Sequence, residues 1–279
     1  MHGYIEKNVI PDELLNFFRE LTAIQENYSE KCSFNLKGRA NTGSFEEVLQ
    51  VPLLKQCQPD FDTELFAQVF SDITGMIARH RPGLKGLDAI DLISGPLLVQ
   101  TFKDAVNVGD KIFKHSFNET LNKCCTEALY AKQPESQNIN VGLLKFIFIN
   151  SVKPFLKAFA RSLKNEQVMA AENSSLCPVC GGSPDMGHAA KHDGQRYLHC
   201  SLCGHEWLCK RLKCPYCLNE DHDSLSVIFI DDVPGCRIDV CEACGSYLKV
   251  IMEERGGTKG LSEMADIETV FLDILANQI

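Results

Sequence analysis

What the chain lacks narrows its class first. No apolar run approaches the roughly 20 residues that a membrane helix needs. The most apolar window, GLLKFIFINSVKPF, is interrupted by Lys145, Asn150, Lys153 and Pro154, so an integral membrane protein is not expected. The opening residues, MHGYIEKNVIPDELLNFFRE, hold neither a basic start followed by an apolar stretch nor an arginine pair. Neither a secretory nor a twin-arginine leader is therefore expected, and the chain is placed in the cytoplasm. Positive charge is short as well: 28 Lys and Arg stand against 37 Asp and Glu. Binding to phosphate backbones draws on many basic contacts, so nucleic acid is disfavoured as a partner. A phosphate-cradling glycine loop, a nucleophile elbow and a His-Glu-x-x-His helix are all missing. With no catalytic constellation, the reading is a protein that is not an enzyme.

What is present is cysteine, fourteen residues of it. In a small secreted protein that number would suggest disulfides, but this chain is long and eight of the cysteines fall in four Cys-x-x-Cys pairs. Cys177 and Cys180 are followed, after 19 intervening residues, by Cys200 and Cys203. Cys214 and Cys217 are followed, after 23, by Cys241 and Cys244. Two intervening residues let both sulfurs of a pair reach one ion about 2.3 Å away, and a second pair from a facing hairpin completes a tetrahedron. Pro178 and Pro215 stiffen the turns, and Gly181, Gly204 and Gly245 follow three of the pairs where a loop closes with positive φ. Leu218 stands where the fourth glycine is expected.

Two metal ions per chain are therefore expected, iron or zinc, because four-thiolate tetrahedra suit both. Zinc would act as a structural staple, whereas iron would permit one-electron chemistry. A closed four-sulfur site leaves no open position for hydrolytic catalysis. Cys32, Cys57, Cys124, Cys125, Cys209 and Cys236 read as small buried hydrophobes, with Cys209 in a position to exchange as a ligand or be oxidised. His199 and His205 neighbour first-site ligands, and supporting or surface roles are expected for them rather than direct ligation.

The fold class expected is α+β multidomain: an N-terminal all-α domain, two tandem rubredoxin-like or zinc-ribbon modules, and a C-terminal helix. Residues 1–170 form the helical domain, 171–212 the first ribbon, 213–255 the second, and 256–279 the last helix. Leu14, Leu15, Phe18 and Leu21 make one helical stripe; Leu65, Phe66, Val69, Phe70, Ile73 and Ile77 make another, capped at Asp62 or Thr63 and stopped by Pro82. Further helices are expected at 96–108, 116–132 and 140–164, the last kinked at Pro154. The segment Glu166 to Ser175 reads as a linker, and the boundary beside it is a favoured place for a binding cleft. The ending ADIETVFLDILANQI puts Ile267, Val270, Phe271, Ile274 and Leu275 on one helical face.

In order and near-contiguity, the four motifs CPVCGGSPDMG, RYLHCSLCGHEW, KRLKCPYC and CEACGSYLK resemble the formate dehydrogenase accessory protein FdhE family. The resemblance is sharp from Cys177 to about Lys249. It implies a cytoplasmic, chaperone-like factor that binds the immature formate dehydrogenase catalytic subunit before export, with rubredoxin-like metal centres. Carried over by position, it implies the eight paired cysteines as the functional residues. Tyr197, Trp207 and Tyr247 are candidates for the client-binding face, or equally cover for the small ribbon cores. A rubredoxin-like electron carrier, a thiol oxidoreductase and a zinc-ribbon nucleic-acid binder are the rival readings. The residues leave open the oligomeric state, the choice of metal and the client-contact residues.

Overall fold

The computed structural model describes residues 10–34, 52–57, 59–91, 140–163, 174–190, 194–230, 235–253 and 261–278, with residues 93, 97, 100, 101 and 233. The expected helices at 96–108 and 116–132, most of the linker, Cys124 and Cys125 lie largely or wholly outside these.

Three long helices, α1 (Asp12–Lys31), α3 (Thr63–His80) and α5 (Val141–Ser162), pack on one another, joined by the short α2 (Leu53–Cys57) and α4 (Leu87–Asp91). At the start of α3, Asp62 Oδ1 accepts from the Glu64 and Leu65 amides at 3.0 and 2.9 Å. That satisfies two donors the first turn would otherwise leave unpaired. The stripe Phe66, Val69, Phe70, Ile73 and Ile77 is buried, as its spacing requires. Phe66 meets Phe148 and Phe155 of α5 in the centre of the core.

Helix α5 runs through Pro154 without a break. Proline lacks the amide that would bond the carbonyl four residues back, and that carbonyl belongs to Asn150. Gln25 of α1 takes the vacant place: its Nε2 donates to Asn150 O at 3.1 Å and to Asn150 Oδ1 at 3.0 Å. A helix-breaking residue is thus converted into a helix–helix contact.

The cysteine-rich half holds six strands: β1 (Pro184–Ala190), β2 (Arg196–Cys200), β3 (Glu206–Cys209), β4 (Leu225–Phe229), β5 (Cys236–Cys241) and β6 (Ser246–Glu253). Their order is β3-β2-β1-β6-β5-β4. Each ribbon supplies three antiparallel strands, and β1 pairs with β6 in parallel from Met186↔Lys249 to Ala190↔Glu253. The two ribbons therefore form one sheet, a connection that local spacing does not announce. Joining them covers one open edge of each, leaving β3 and β4 as the outer strands.

The first ribbon also shares its core with the helices. The α2 amides of Leu53 and Leu54 donate to Pro178 O and Val179 O at 2.9 and 2.8 Å, so the first knuckle is bonded to the helical body. Cys177, Val179, Leu198, Leu202 and Trp207 belong to the same apolar cluster as Phe66 and Phe148.

The C-terminal end differs from the single helix expected. Thr269 interrupts it, giving α6 (Ala265–Glu268) and α7 (Val270–Ala276). The Thr269 hydroxyl joins its own amide on Ala265 O, at 2.6 and 3.0 Å, and the next amide bond, Leu272 N to Thr269 O at 2.9 Å, reaches back three residues rather than four. The buried positions are Ala265, Thr269 and Leu272, and Ile274 is exposed; α7 docks on β5 and β6.

Candidate metal centres

Each Cys-x-x-Cys pair sits in a tight knuckle closed by short backbone bonds. In the first, Gly181 N donates to Cys177 O and Cys177 N to Gly182 O, both at 2.8 Å. Gly204 N to Cys200 O and Cys200 N to His205 O repeat the scheme, as do Leu218 N to Cys214 O and Cys214 N to Asn219 O. In the fourth, Gly245 N donates to Cys241 O at 2.8 Å. Such a turn needs positive φ at its fifth residue. Gly181, Gly204 and Gly245 supply it at 79°, 70° and 69°, and Leu218 adopts 62° despite its side chain. The substitution of leucine for glycine leaves the turn intact.

The knuckles converge as their pairing predicts. The sulfurs of Cys177, Cys180, Cys200 and Cys203 lie within 4.8 Å of one another, and so do those of Cys214, Cys217, Cys241 and Cys244. Four sulfurs about 2.3 Å from one ion define tetrahedral edges of about 3.8 Å. In the first centre Cys177 Sγ and Cys203 Sγ are 3.6 Å apart, and Cys180 Sγ and Cys200 Sγ 3.5 Å. In the second, Cys214–Cys244 and Cys217–Cys241 are both 3.7 Å. The donor set and its spacing fit a tetrahedral soft-metal site in both places. Amides assist: Gly182 N points at Cys180 Sγ and Tyr216 N at Cys214 Sγ, each at 3.4 Å. Two four-cysteine clusters able to hold two metal ions are present.

The centres differ in burial. All four first-centre cysteines are buried, whereas Cys217 and Cys244 are exposed. In the first, burial pushes the Cys180 and Cys203 thiols well up; it opposes ionisation of Cys200 too, but hydrogen bonds from the other three sulfurs hold Cys200 well down. Four buried thiolates need a cation to coexist. In the second, Cys214 is pushed up to about 12, mainly by burial, while at Cys244 burial is outweighed by hydrogen bonds from Ser246 and the neighbouring sulfurs, which lower it to about 7.

The remaining candidates fall outside both centres. His199 Nδ1 is engaged by Asp185 Oδ1 at 2.9 Å, and His205 stacks on Trp207. Cys209 is buried and accepts from Arg196 Nη2 at 3.3 Å. Cys32 is raised to about 11 by burial and by Asp62. Of the three aromatics considered for a client surface, Trp207 is buried and donates to Ser174 O at 3.2 Å, so it is core. Tyr197 stacks on His188, and Tyr247 donates to Asp273 at 3.0 Å.

The register places both centres at one end of the sheet. Strand β1 begins just after the Cys177–Cys180 knuckle and β6 just after Cys244, and the two strands run parallel. Cys200 ends β2 opposite Pro184, and Cys241 ends β5 opposite Ser246.

Comparison with known proteins agrees with the resemblance read from the knuckles. Residues 176–211 match the family model described as FdhE, central domain. The chain is 33% identical over 143 residues to a protein FdhE homolog of Aquifex aeolicus (strain VF5), covering 50% of each chain. It is 36% identical over 124 residues to a protein FdhE homolog of Haemophilus influenzae (strain PittEE), covering 43% of this chain and 40% of that one. The matched region thus spans half or less of the length of these curated relatives. The crystal structure of the FdhE protein from Pseudomonas aeruginosa superposes with a TM-score of 0.53 at 18% identity, over 95% of this chain and 84% of that one, and shows a shared fold. Resemblance to FdhE is thereby shown in sequence and in architecture. Among the described residues no helix is long and apolar enough to cross a membrane.

Proposed function

We propose that this chain is a cytoplasmic accessory protein for formate dehydrogenase, without catalytic activity of its own, that binds the immature catalytic subunit. The observation that carries the reading is the pair of four-sulfur centres set in an FdhE-like segment and fused to a helical body. Cys177, Cys180, Cys200 and Cys203 would hold one ion, and Cys214, Cys217, Cys241 and Cys244 the other. Bound zinc would supply cross-linking alone; bound iron would add one-electron chemistry. The chain's own contribution is rigidity: α2 clamps the first knuckle, the β1–β6 pairing fixes one ribbon on the other, and both centres are presented at one end of the sheet. The division into residues 1–170, 171–212, 213–255 and 256–279 belongs to the same proposal, although the shared sheet and core couple these units.

The test is an affinity capture with anaerobically prepared protein, identifying the co-purified partner and measuring bound metal in one sample. Recovery of a formate dehydrogenase catalytic subunit with about two ions per chain is expected. Metal without that subunit, under formate-respiring conditions, would overturn the accessory reading.

The exposure of Cys217 and Cys244 favours one second reading, a rubredoxin-like electron carrier whose partner approaches the second centre. It requires a reversible iron spectrum and electron transfer in the absence of any formate dehydrogenase subunit.

A further inference from the structure

The sheet ends on one side in a strand that is paired only from within. Strand β4 bonds to β5, and among the described residues no segment bonds its other side. The register settles which backbone groups are left over. Glu242 N donates to Ser224 O at 2.9 Å, and opposite residues of an antiparallel ladder alternate between bonded and non-bonded pairs. Ser224, Ser226 and Ile228 therefore turn their backbone groups to β5, whereas Leu225, Val227 and Phe229 turn theirs outward. The Leu225 amide is used locally, on His222 O. The amides of Val227 and Phe229 and the carbonyls of all three residues face open space.

Edge strands are normally blunted by lysine, proline, a bulge or a covering segment. The strand LSVIF has neither lysine nor proline, and its side chains add to the exposure: Val227 is 45% exposed and Phe229 65%. The other outer strand, β3, buries Trp207 and Cys209, and its Glu206 is bonded to the Leu261 amide. Leu225, Val227 and Phe229 share one face of the sheet. There Leu225 and Val227 border, with Leu212 and Tyr216, a cavity of about 50 Å³, and Leu212 is itself exposed. Charge is uneven along the edge. At its Ser224 end Asp221, Asp223 and Glu242 are all exposed, and none has an ion-pair partner among the described residues. Of the basic residues nearby, Lys210 and Lys213 pair with Glu220 and Arg196 with Asp239, which leaves Arg211 against three acids.

We propose that this edge takes an extended segment of a partner protein as a seventh strand, with apolar side chains laid on Val227, Phe229 and Leu212 and a basic residue beside Asp221, Asp223 and Glu242. Main-chain hydrogen bonds supply the affinity, and the apolar face and acidic end supply the selectivity. A second copy fits less well. The strand has five residues and is about 17 Å long, so a junction of two such edges falls short of the roughly 1,200 Å² that a stable interface buries. The inference concerns the sheet edge, not either metal centre, and holds whichever protein supplies the segment.

The experiment uses the zinc-loaded full chain and the capped peptide Lys-Lys-Val-Thr-Val-Thr-Val-Lys-Lys, with a counterpart in which glutamate replaces each lysine. Fluorescence anisotropy of the labelled peptides at low salt should show the lysine peptide binding at least about tenfold tighter. Amide hydrogen exchange locates it. In the free chain Val227 and Phe229 should exchange fast and Ser226 and Ile228 slowly, and the lysine peptide should slow Val227 and Phe229. Val227→Pro removes an outward donor without touching a bond to β5, and should weaken binding about tenfold. Phe229→Lys, at an exposed position, should weaken it as well. Circular dichroism and zinc content check that both variants fold; if Val227→Pro does not, exchange in the unaltered chain decides alone. No binding, equal binding of the two peptides, unchanged exchange at Val227 and Phe229 in the complex, or unchanged affinity in the folded variants overturns the proposal. So does slow exchange of these two amides in a free chain that sediments as a dimer, which assigns the edge to a second copy instead.

Discussion

Removing the Asp239 carboxylate should be among the most damaging single changes in the sheet, because one side chain neutralises two buried guanidiniums. Asp239 of β5 is 10% exposed, Arg196 of β2 2% and Arg237 of β5 3%. Asp239 Oδ2 accepts from Arg196 Nη1 at 2.9 Å and Arg237 Nη2 at 3.3 Å, and Oδ1 stands 2.8 Å from Arg237 Nε. Arg196 reaches further, donating to Lys210 O at 2.7 Å and Lys213 O at 2.5 Å. It thus ties the first ribbon, the connecting segment and the second ribbon together. Breaking a buried pair from one side costs about 3–5 kcal/mol, chiefly because the other charge is left unmatched. With two cations stranded, Asp239→Ala is expected near the top of that range, about 4–5 kcal/mol. Asp239→Asn keeps an acceptor and should cost less, about 2–3 kcal/mol. In an Asp239→Ala background, Arg196→Met should cost less than it does alone, by a coupling of about 2 kcal/mol or more, while its bonds to the Lys210 and Lys213 carbonyls are lost in either background. Urea unfolding at fixed free zinc measures this, followed by fluorescence of Trp207, the single tryptophan. A cost below about 1 kcal/mol for Asp239→Ala, or equal costs for the Ala and Asn variants, would refute the argument.

Four further outcomes follow from the same geometry. A chelator should strip the two ions in two phases, the second centre first because Cys217 and Cys244 are exposed; Cys217→Ser should remove the fast phase alone, and a single phase would contradict the burial difference. Gly182→Ala should empty the first centre selectively, since a Cβ there would lie 2.9 Å from Cys200 Sγ and 3.3 Å from Cys180 Sγ; metal analysis showing two ions retained would sink this. Cys177→Ser should lose one ion whereas Cys32→Ser, whose sulfur donates to Tyr28 O at 3.3 Å and lies outside both clusters, should lose none; equal metal loss in both would undo the partition of ligands. Tyr28 donates to Asp72 Oδ2 at 2.7 Å, and burial together with Asp72 raises it to about 12. A pKa raised on folding stabilises fully below the unfolded value near 10 and is lost as pH climbs toward 12. Tyr28→Phe should flatten that alkaline decline in denaturation midpoint, and an unchanged slope would rule out Tyr28 as its source.

The two four-sulfur clusters were legible because a sulfur tetrahedron imposes a spacing rule on the chain, and that rule survives in one dimension. The α3 stripe and its Asp62 cap were legible for the same reason: a 3.6-residue period and a local side-chain bond are both short-range. What spacing could not announce were contacts between distant segments. The parallel pairing of β1 with β6 joins residues some sixty positions apart, and Gln25 answering the Asn150 carbonyl spans 125. The C-terminal stripe misled because helical spacing says which residues share a face but not which face is covered: Ala265, Thr269 and Leu272 keep the same spacing and are the buried ones, while Ile274 is exposed. Trp207 could not be placed from sequence, since a large aromatic beside a metal knuckle suits a small core as well as an interface.

The parallel pairing of β1 and β6 has a consequence for any partner. Were the ribbons independent beads, a client could grip one and leave the other free, and loss of one ion would be a local event. The two hairpin midlines are instead about two strand spacings, or about 10 Å, apart on one sheet, and the knuckles open at the same end. A surface of ordinary interface size, about 800 Å² per partner, would cover both. The first centre is also bonded through Leu53 and Leu54 to the helical body, so a force applied at the exposed rim around Cys217 and Cys244 is carried through the sheet to the buried centre and into the helices. Buried and exposed centres on one rigid edge are then unequal parts of a single surface: the first fixes it to the scaffold, and the second is where a partner or solvent meets it.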